Sequence, residues 1–548
     1  MRKLILAYVL LWGTDSSFSQ DTISLSDIAP ASHIIDMNFT ESERVMMYPG
    51  LRDNVSDFKK MHEINLPNSI PMSLWQSPVL PGMHFNTKQE PINWNIPANI
   101  SLPKNKNELA FYSILELASL IKNRKISSVD LTKFFIDRIK KYGDTLQCVI
   151  SITEKIAMQE AQQADEEIAK GKYRGPLHGI PYGLKDLFAV KGTKTTWGAA
   201  PYKEQDIEED SYVYLKLKSA GAVLIAKFTL GALAMGDYWY GGRTKNPWNL
   251  NYGSSGSSAG STSATVAGLV PFAIGTETYG SIISPSHTCG ATGLRPTFGS
   301  VSRTGGMTLS WSLDKIGPIC RSAEDDAVVF AAIHGSDGKD GSAVNMPFNY
   351  TGNVDFKKLK IAYASNYFNK LIPTANDWKV LEALRKLGAK IDSVEFPDST
   401  VYSFDIIGIV IGSESAAAFD DLTRLNIDDQ LTRQTPGDWP NYFRTARFIP
   451  AVEYVNANRH RYLLMKKMNE LFEKYDIVIC PTWTGKQMAI TNLTGHPALC
   501  MPTGFDDKSL PTSITLLGKL YGEAQLLAVG KAFQKASEYE DKHPDLFK

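Results

Sequence analysis

Residues 253–264 read GSSGSSAGSTSA, six serines in twelve positions and no charge. Three readings compete: a flexible linker, a serine nucleophile on a sharp turn, or part of a longer motif that takes in more sequence. A linker separates two domains, yet this run leads straight into the small and apolar TSATVAGLVPFAIG (262–275), which argues against it. Gly256-Ser257-Ser258-Ala259-Gly260 matches the G-x-S-x-G elbow, which requires a strand immediately before the serine. The preceding KNPWNLNYGSS (245–255) has a proline, three asparagines and no strand character, so the match reads as accidental. A serine hydroxyl is a weak nucleophile and needs a base within hydrogen-bond reach. His287 is the base that a Ser-His-Asp arrangement would use, although packing or supporting hydrogen bonds are its plainer role. Lysine also serves if burial strips its charge. Lys185 follows the uncharged run GIPYGL (179–184), which suits a strand end pushed inside. The alternative is a solvated lysine neutralised by the adjacent Asp186.

The elements that must hold such groups follow an alternating pattern. SSVDLTKFFIDRIKKYG (127–143) has Ser127 placed to cap a helix and apolar residues at helical spacing, with Gly143 predicted as its end. CVISIT (148–153) reads as a strand and 154–170 as a helix. Short apolar runs then alternate with helical stretches: AVLIAKF (222–228), VAGLVPFAIG (266–275), LKIAYA (359–364), DIVICPT (476–482) and ALCMPTGF (498–505). Such alternation predicts an α/β protein whose helices cover a central sheet. Residues 345–475 are the least patterned and are expected to include helices that wall a pocket.

Composition sets the bounds. The chain has 548 residues, 43% hydrophobic and 21% charged, with 58 basic against 58 acidic side chains. That balance disfavours a nucleic-acid binder. The five cysteines, Cys148, Cys289, Cys320, Cys480 and Cys500, are scattered without a CxxC pair, so buried free thiols are expected. No metal-ligand spacing or phosphate-cradling glycine loop is present, and neither metal nor cofactor is expected. Met1-Arg2-Lys3, the apolar LILAYVLLWG (4–13), and Ser17 and Ser19 before Gln20 predict a signal peptide over 1–19. The expected location is therefore periplasmic or extracellular, with no membrane span in the mature protein. Residues 20–105, rich in Pro, Asn, Ser and Met, read as an extended accessory segment, and 106–548 as the main domain.

NPWNLNYGSSGSSAGS (246–261) resembles the signature of the amidase signature family. GTETYGSIISPSHTCGATGLRPTFG (275–299) is similar to the family's second block, and HGIPYGLKDLFAVKG (178–192) to an upstream one. SWSLDKIGPICRSAED (310–325) and NLTGHPALCMPTGF (492–505) are similar to later blocks, all in the family's order. The resemblance implies one large α/β domain with a central mixed, twisted sheet covered on both faces by helices. It also implies a triad of Lys185, Ser257 and Ser281, with Ser258 the rival to Ser257 as shuttle. Backbone N–H groups at Thr278, Tyr279, Gly280 and Ser281 would form the oxyanion hole. The implied activity is hydrolysis of a carboxamide, and of esters too, through an acyl-enzyme. The glutaminase subunit of a tRNA-dependent amidotransferase is the alternative, and a catalytically silent binding protein on the same scaffold is a third.

Three positions depart from the family pattern: Glu277 where Asp is common, Tyr279 where Gly is common, and Ile283 where Arg is common. Glu277 must then find a partner other than residue 283, and Tyr279 is strained if its φ is positive. A signal peptide and the segment before residue 105 favour a stand-alone hydrolase over the amidotransferase subunit. Met235, Tyr279, Met307 and Trp311, with Trp197, Tyr238 and Trp239 nearby, suggest an apolar or aromatic acyl group; ordinary core packing is the alternative for each. The expected partner is a small amide, not nucleic acid. A homodimer is compatible with the sequence, which sets no oligomeric state.

Overall fold

The helix expected at 127–143 forms over Ser128–Leu146, its start fixed by the Ser127 side chain accepting from the Asp130 N–H. Leu131, Phe135 and Ile139 lie on its buried face. Gly143 does not end it: the helix runs to Leu146 and stops at Gln147, which is left-handed (φ 52°). Gly143 instead permits contact, since a Cβ there would stand 2.9 Å from Val149 Cγ2. The computed structural model describes residues 23–548 apart from 62, 64–66, 71–73, 371–374, 399–403 and 538. The predicted signal peptide lies outside the described residues.

Eleven strands build one mixed sheet. In chain order they are β1 (Val149–Ile152), β2 (Pro181–Lys185), β3 (Val223–Phe228), β4 (Ala273–Glu277), β5 (Thr292–Arg295), β6 (Lys315–Cys320), β7 (Ile361–Ala364), β8 (Ile391–Val394), β9 (Ile477–Pro481), β10 (Ala498–Phe505) and β11 (Pro511–Gly518). Their order across the sheet is β1-β3-β2-β4-β6-β5-β10-β11-β9-β7-β8. β2 runs parallel to both β3 and β4, so Lys185 and Glu277 close neighbouring strands at the same edge. β2, β3, β6, β9 and β11 are buried along their whole length, as strands covered on both faces must be. That explains why their sequences are apolar runs rather than alternating ones.

The chain divides into two compact units, residues 1–67 and 68–548. Within the first, Leu25–Ile34 and Glu41–Met61 are helices, not the extended chain expected there. Each begins with a reciprocal cap: Ser24 N–H donates to Asp27, and Thr40 N–H to Glu43, both at 2.7 Å. From 74 to 105 the described residues contain no helix or strand. All five cysteines are free and buried. No described helix is long and apolar enough to cross a membrane.

Candidate active site

Lys185 is the last residue of β2 and is fully buried. Its Nζ lies 2.8 Å from Ser257 Oγ, 3.1 Å from Ser258 Oγ, 2.8 Å from Thr276 Oγ1 and 3.4 Å from the Thr276 carbonyl. These contacts contain no carboxylate. Strand alternation sends Asp186 to the opposite face, where it pairs with Lys227 at 2.8 Å, both side chains buried. Thr196 anchors the same carboxylate through its N–H at 2.8 Å. The reading in which Asp186 neutralises a solvated Lys185 is thereby replaced.

Burial pushes the Lys185 ammonium down to about 7, against the opposing pull of Asp314 and Glu277. The contact set suits the neutral amine, which has two N–H donors and one lone pair. Ser258 Oγ donates to the Thr276 carbonyl (3.1 Å), leaving its lone pairs to accept from Lys185 and from Thr276 N–H (3.2 Å). Thr276 Oγ1 and Ser257 Oγ both lie 2.8 Å from Nζ, and a neutral amine that donates to Ser258 and Thr276 has its lone pair left for the Ser257 hydroxyl. The Ser258 hydroxyl is thus tied to Thr276 of β4 by two hydrogen bonds and to Lys185 of β2 by a third. Thr276, immediately before the acid of its block, went unnoticed in the sequence.

The serine run is a loop ahead of the helix Ala259–Val266, all of whose residues are buried. Contrary to the sequence reading, a strand does precede it: Asn249–Gly253 pairs with Lys245–Asn246. Asparagine side chains make the hairpin, Asn246 Oδ1 accepting from Trp248 N–H (2.9 Å) and Asn249 Oδ1 from Asn251 N–H (3.1 Å). This ribbon stands outside the large sheet, so the arrangement still differs from an elbow on a sheet strand. Small residues let the neighbours close in. A Cβ on Gly256 would meet the Gly236 carbonyl oxygen at 1.9 Å, and one on Gly260 the Cys148 carbonyl oxygen at 2.4 Å.

Residues 278–282 join β4 to the helix Ile283–Cys289 and carry Ser281. The Ser281 carbonyl accepts from Ser258 N–H at 3.1 Å, which joins the two serine segments. The positive φ of the turn falls on Gly280 (+85°) and not on Tyr279, so tyrosine at 279 is unstrained. A Cβ at 280 would stand 2.6 Å from Met488 Sδ. The turn is held by two carboxylates. Asp314 accepts from Thr278 Oγ1 at 2.6 Å and from Leu309 and Ser310 N–H. Glu277 Oε2 accepts from the N–H groups of Ile282 and Ile283, both at 2.9 Å, capping the helix.

Glu277 finds its counter-ion in Arg295, 2.9 Å away and fully buried, and a further donor in Asn492 at 2.8 Å. Burial alone would raise its carboxyl; Arg295 and these hydrogen bonds hold it below the ordinary value. The counter-ion therefore comes from β5, eighteen residues beyond Glu277, and not from position 283. The motif GLRPT contained that arginine, but nothing local in it pointed back to Glu277.

The remaining candidates separate. His287 Nδ1 lies 2.6 Å from Ser513 Oγ and its ring meets Trp483 edge-on, so it belongs to another polar cluster. Met235, Met307 and Trp311 pack on the main apolar cluster, whereas Tyr279 packs on a second one with Ile283 and Met488. The four tentative acyl-site residues therefore do not form one packed set. A cavity of about 690 Å³ beside Leu74, Trp75 and Tyr454 is lined by none of them.

Comparison with known proteins agrees with this geometry. The Amidase family model matches residues 130–490. One of the subunits of the glutamyl-tRNA(Gln) amidotransferase of Geobacillus kaustophilus is 33% identical over 483 residues, covering 79% of this chain and 99% of that protein. The peptide amidase of Stenotrophomonas maltophilia superposes with a TM-score of 0.71 at 27% identity, covering 79% of this chain and 98% of the other. An amidase family protein from Bacillus anthracis gives 0.72 at 25% identity, over 80% and 94%. The chain belongs to the amidase signature family, whose enzymes break amide C–N bonds by Ser-Ser-Lys catalysis.

Proposed function

We propose that this enzyme is a stand-alone amidohydrolase in which Lys185 is the base, Ser257 the proton carrier and Ser281 the nucleophile. The observation that carries the reading is a fully buried amine, pushed down to about 7 by that burial, 2.8 Å from the Ser257 hydroxyl. Neutral Lys185 takes the Ser257 proton as Ser257 takes that of Ser281. The Ser281 oxygen bonds to the substrate carbonyl carbon, and the C–O π electrons move onto oxygen. N–H groups of the 278–281 turn receive that oxyanion, each donor typically worth about 3–4 kcal/mol. Collapse breaks the C–N bond, and the proton returns from Lys185 through Ser257 to the leaving amine, a poor leaving group without it. Water then repeats the relay on the acyl-enzyme and releases the acid.

Apolar or aromatic acyl amides are the substrates this reading favours. It rests on Tyr279, which lies in the nucleophile turn and packs on the apolar cluster that contains Ile283 and Met488. Export is part of the proposal and is supported by the basic start and apolar run of residues 1–13. Purified protein tested on acyl amides and esters of graded chain length gives the direct check. Hydrolysis abolished in both Ser281→Ala and Lys185→Ala is expected, and undiminished turnover by either variant contradicts the assignment.

A second reading, glutaminase subunit of a tRNA-dependent amidotransferase, is favoured by the curated relative at 33% identity. Ammonia release from glutamine only when candidate partner subunits are added would select it. Release of acid and amine from apolar amides by the chain alone would select the first.

A further inference from the structure

Gly231–Gly236 (GALAMG) is a turn that its own sequence does not favour. Leu233 (φ 50°, ψ 40°) and Ala234 (φ 63°) are consecutive residues in the left-handed region, where a Cβ is unwelcome. Such a conformation persists only when the surroundings impose it. The Leu233 N–H donates to the Trp197 carbonyl (2.9 Å) and the Ala234 N–H to that of Gly231 (2.8 Å), and a further hold, on the carbonyls, comes from a distant segment. The Trp439 indole N–H donates to the carbonyls of Leu233 (3.0 Å) and Ala232 (3.1 Å). Trp439 itself is 5% exposed and stacks on Phe443 with centroids 4.8 Å apart. Six residues earlier, Arg433 sits 4.5 Å from the Tyr238 ring, on the strand that follows the turn, and pairs with Asp438 at 2.8 Å. Residues 433–439 thus grip 232–238 at two points.

The far end of that turn reaches the reaction. The Gly236 carbonyl occupies the space where Gly256 would carry a Cβ, and the next residue is Ser257, 2.8 Å from Lys185 Nζ. We propose that Trp439 is a positioning residue for the proton relay: through its indole N–H it presses the Gly231–Gly236 turn against Gly256 and so holds Ser257 in register with Lys185. The inference rests on the triad reading above. It also gives the poorly patterned 345–475 region a catalytic consequence that no motif in it discloses. Without the indole donor the turn relaxes toward ordinary dihedrals, Gly236 withdraws, and Ser257 loses the backing that fixes its hydroxyl. Misplacement of a relay group by about 1 Å costs up to about 100-fold.

Labelling by a fluorophosphonate, which Ser281 would attack with release of fluoride, reads relay competence without a known substrate. Trp439→Phe keeps the ring and removes the donor. The account expects its maximal labelling rate to fall about tenfold with the half-saturating probe concentration unchanged. Phe443→Leu, which disturbs the same aromatic stack without touching the turn, is expected to lower the melting temperature and keep the wild-type rate. A wild-type rate in Trp439→Phe, or equal slowing in both variants, overturns the proposal. Should Trp439→Phe fail to fold, Arg433→Gln at the exposed end of the grip decides: slowing of about twofold or more supports it, and a wild-type rate overturns it. Ser281→Ala separates the two levels. Labelling that survives in Ser281→Ala refutes the triad reading, whereas loss there beside a wild-type rate in Trp439→Phe refutes the positioning role alone.

Discussion

Moving the pH from 8 to 6 should cost this enzyme about tenfold in kcat/KM. With the Lys185 amine at about 7, the neutral, basic form makes up about nine-tenths of the protein at pH 8 and about one-tenth at pH 6. An exposed lysine near 10.5 would be neutral in about one molecule in 3,000 at pH 7. Burial therefore enlarges the usable base at pH 7 about 1,500-fold, equivalent to about 4 kcal/mol. The assay is hydrolysis of a chromogenic acyl anilide between pH 5.5 and 9, where the limb of kcat/KM reports the free enzyme. Asp314→Asn assigns the limb. Asp314 raises the Lys185 value, so its neutralisation should move the midpoint to lower pH whatever it does to the plateau. A midpoint near 10, or no limb between 5.5 and 8, refutes the reasoning, as does a limb that Asp314→Asn moves upward.

Further outcomes follow from the same contacts. Lys185→Met should abolish activity yet melt above the wild type at pH 6. The folded-state value lies below the unfolded one, so the destabilisation is full below about 7 and fades as pH rises toward 10.5; the gap should narrow by pH 9 in thermal melts. Arg295→Met leaves the Glu277 carboxylate buried without its counter-ion and should cost about 3–5 kcal/mol, with part recovered in Arg295→Met/Glu277→Gln, measured by denaturant unfolding. Gly280→Ala forces a methyl against Met488 Sδ at a φ of +85° and should slow fluorophosphonate labelling by about tenfold or more. All five thiols are buried, and burial raises the Cys148, Cys289, Cys320, Cys480 and Cys500 values, so a thiol reagent should modify none until the protein unfolds.

What the sequence disclosed was mostly local chemistry. An uncharged run ending in Lys185 is enough to suspect a lysine at a buried strand end, and ALCMPTGF is a strand over the residues read as one. The glycine at 280 was visible, but only the backbone shows that it, and not Tyr279, bears the positive φ. Contacts closed over long separations stayed hidden. Asp186 looked like the natural partner of Lys185 because it is adjacent, yet strand alternation sends it to Lys227. Arg295 pairs with Glu277 from eighteen residues away, and Trp439 reaches across some two hundred residues. The helices at 25–34 and 41–61 were obscured by Pro30, Pro49 and weak apolar periodicity. Their signal was the pair of caps at Ser24–Asp27 and Thr40–Glu43, a short pattern easily passed over in a proline-rich stretch.

The most direct test is to find where a covalent probe lands. Fluorophosphonate-treated enzyme, digested and sequenced by mass spectrometry, should carry its adduct on Ser281, with labelling lost in Lys185→Ala. An adduct on Ser257, Ser258 or Ser513, or undiminished labelling of Ser281 without the lysine, would contradict the account.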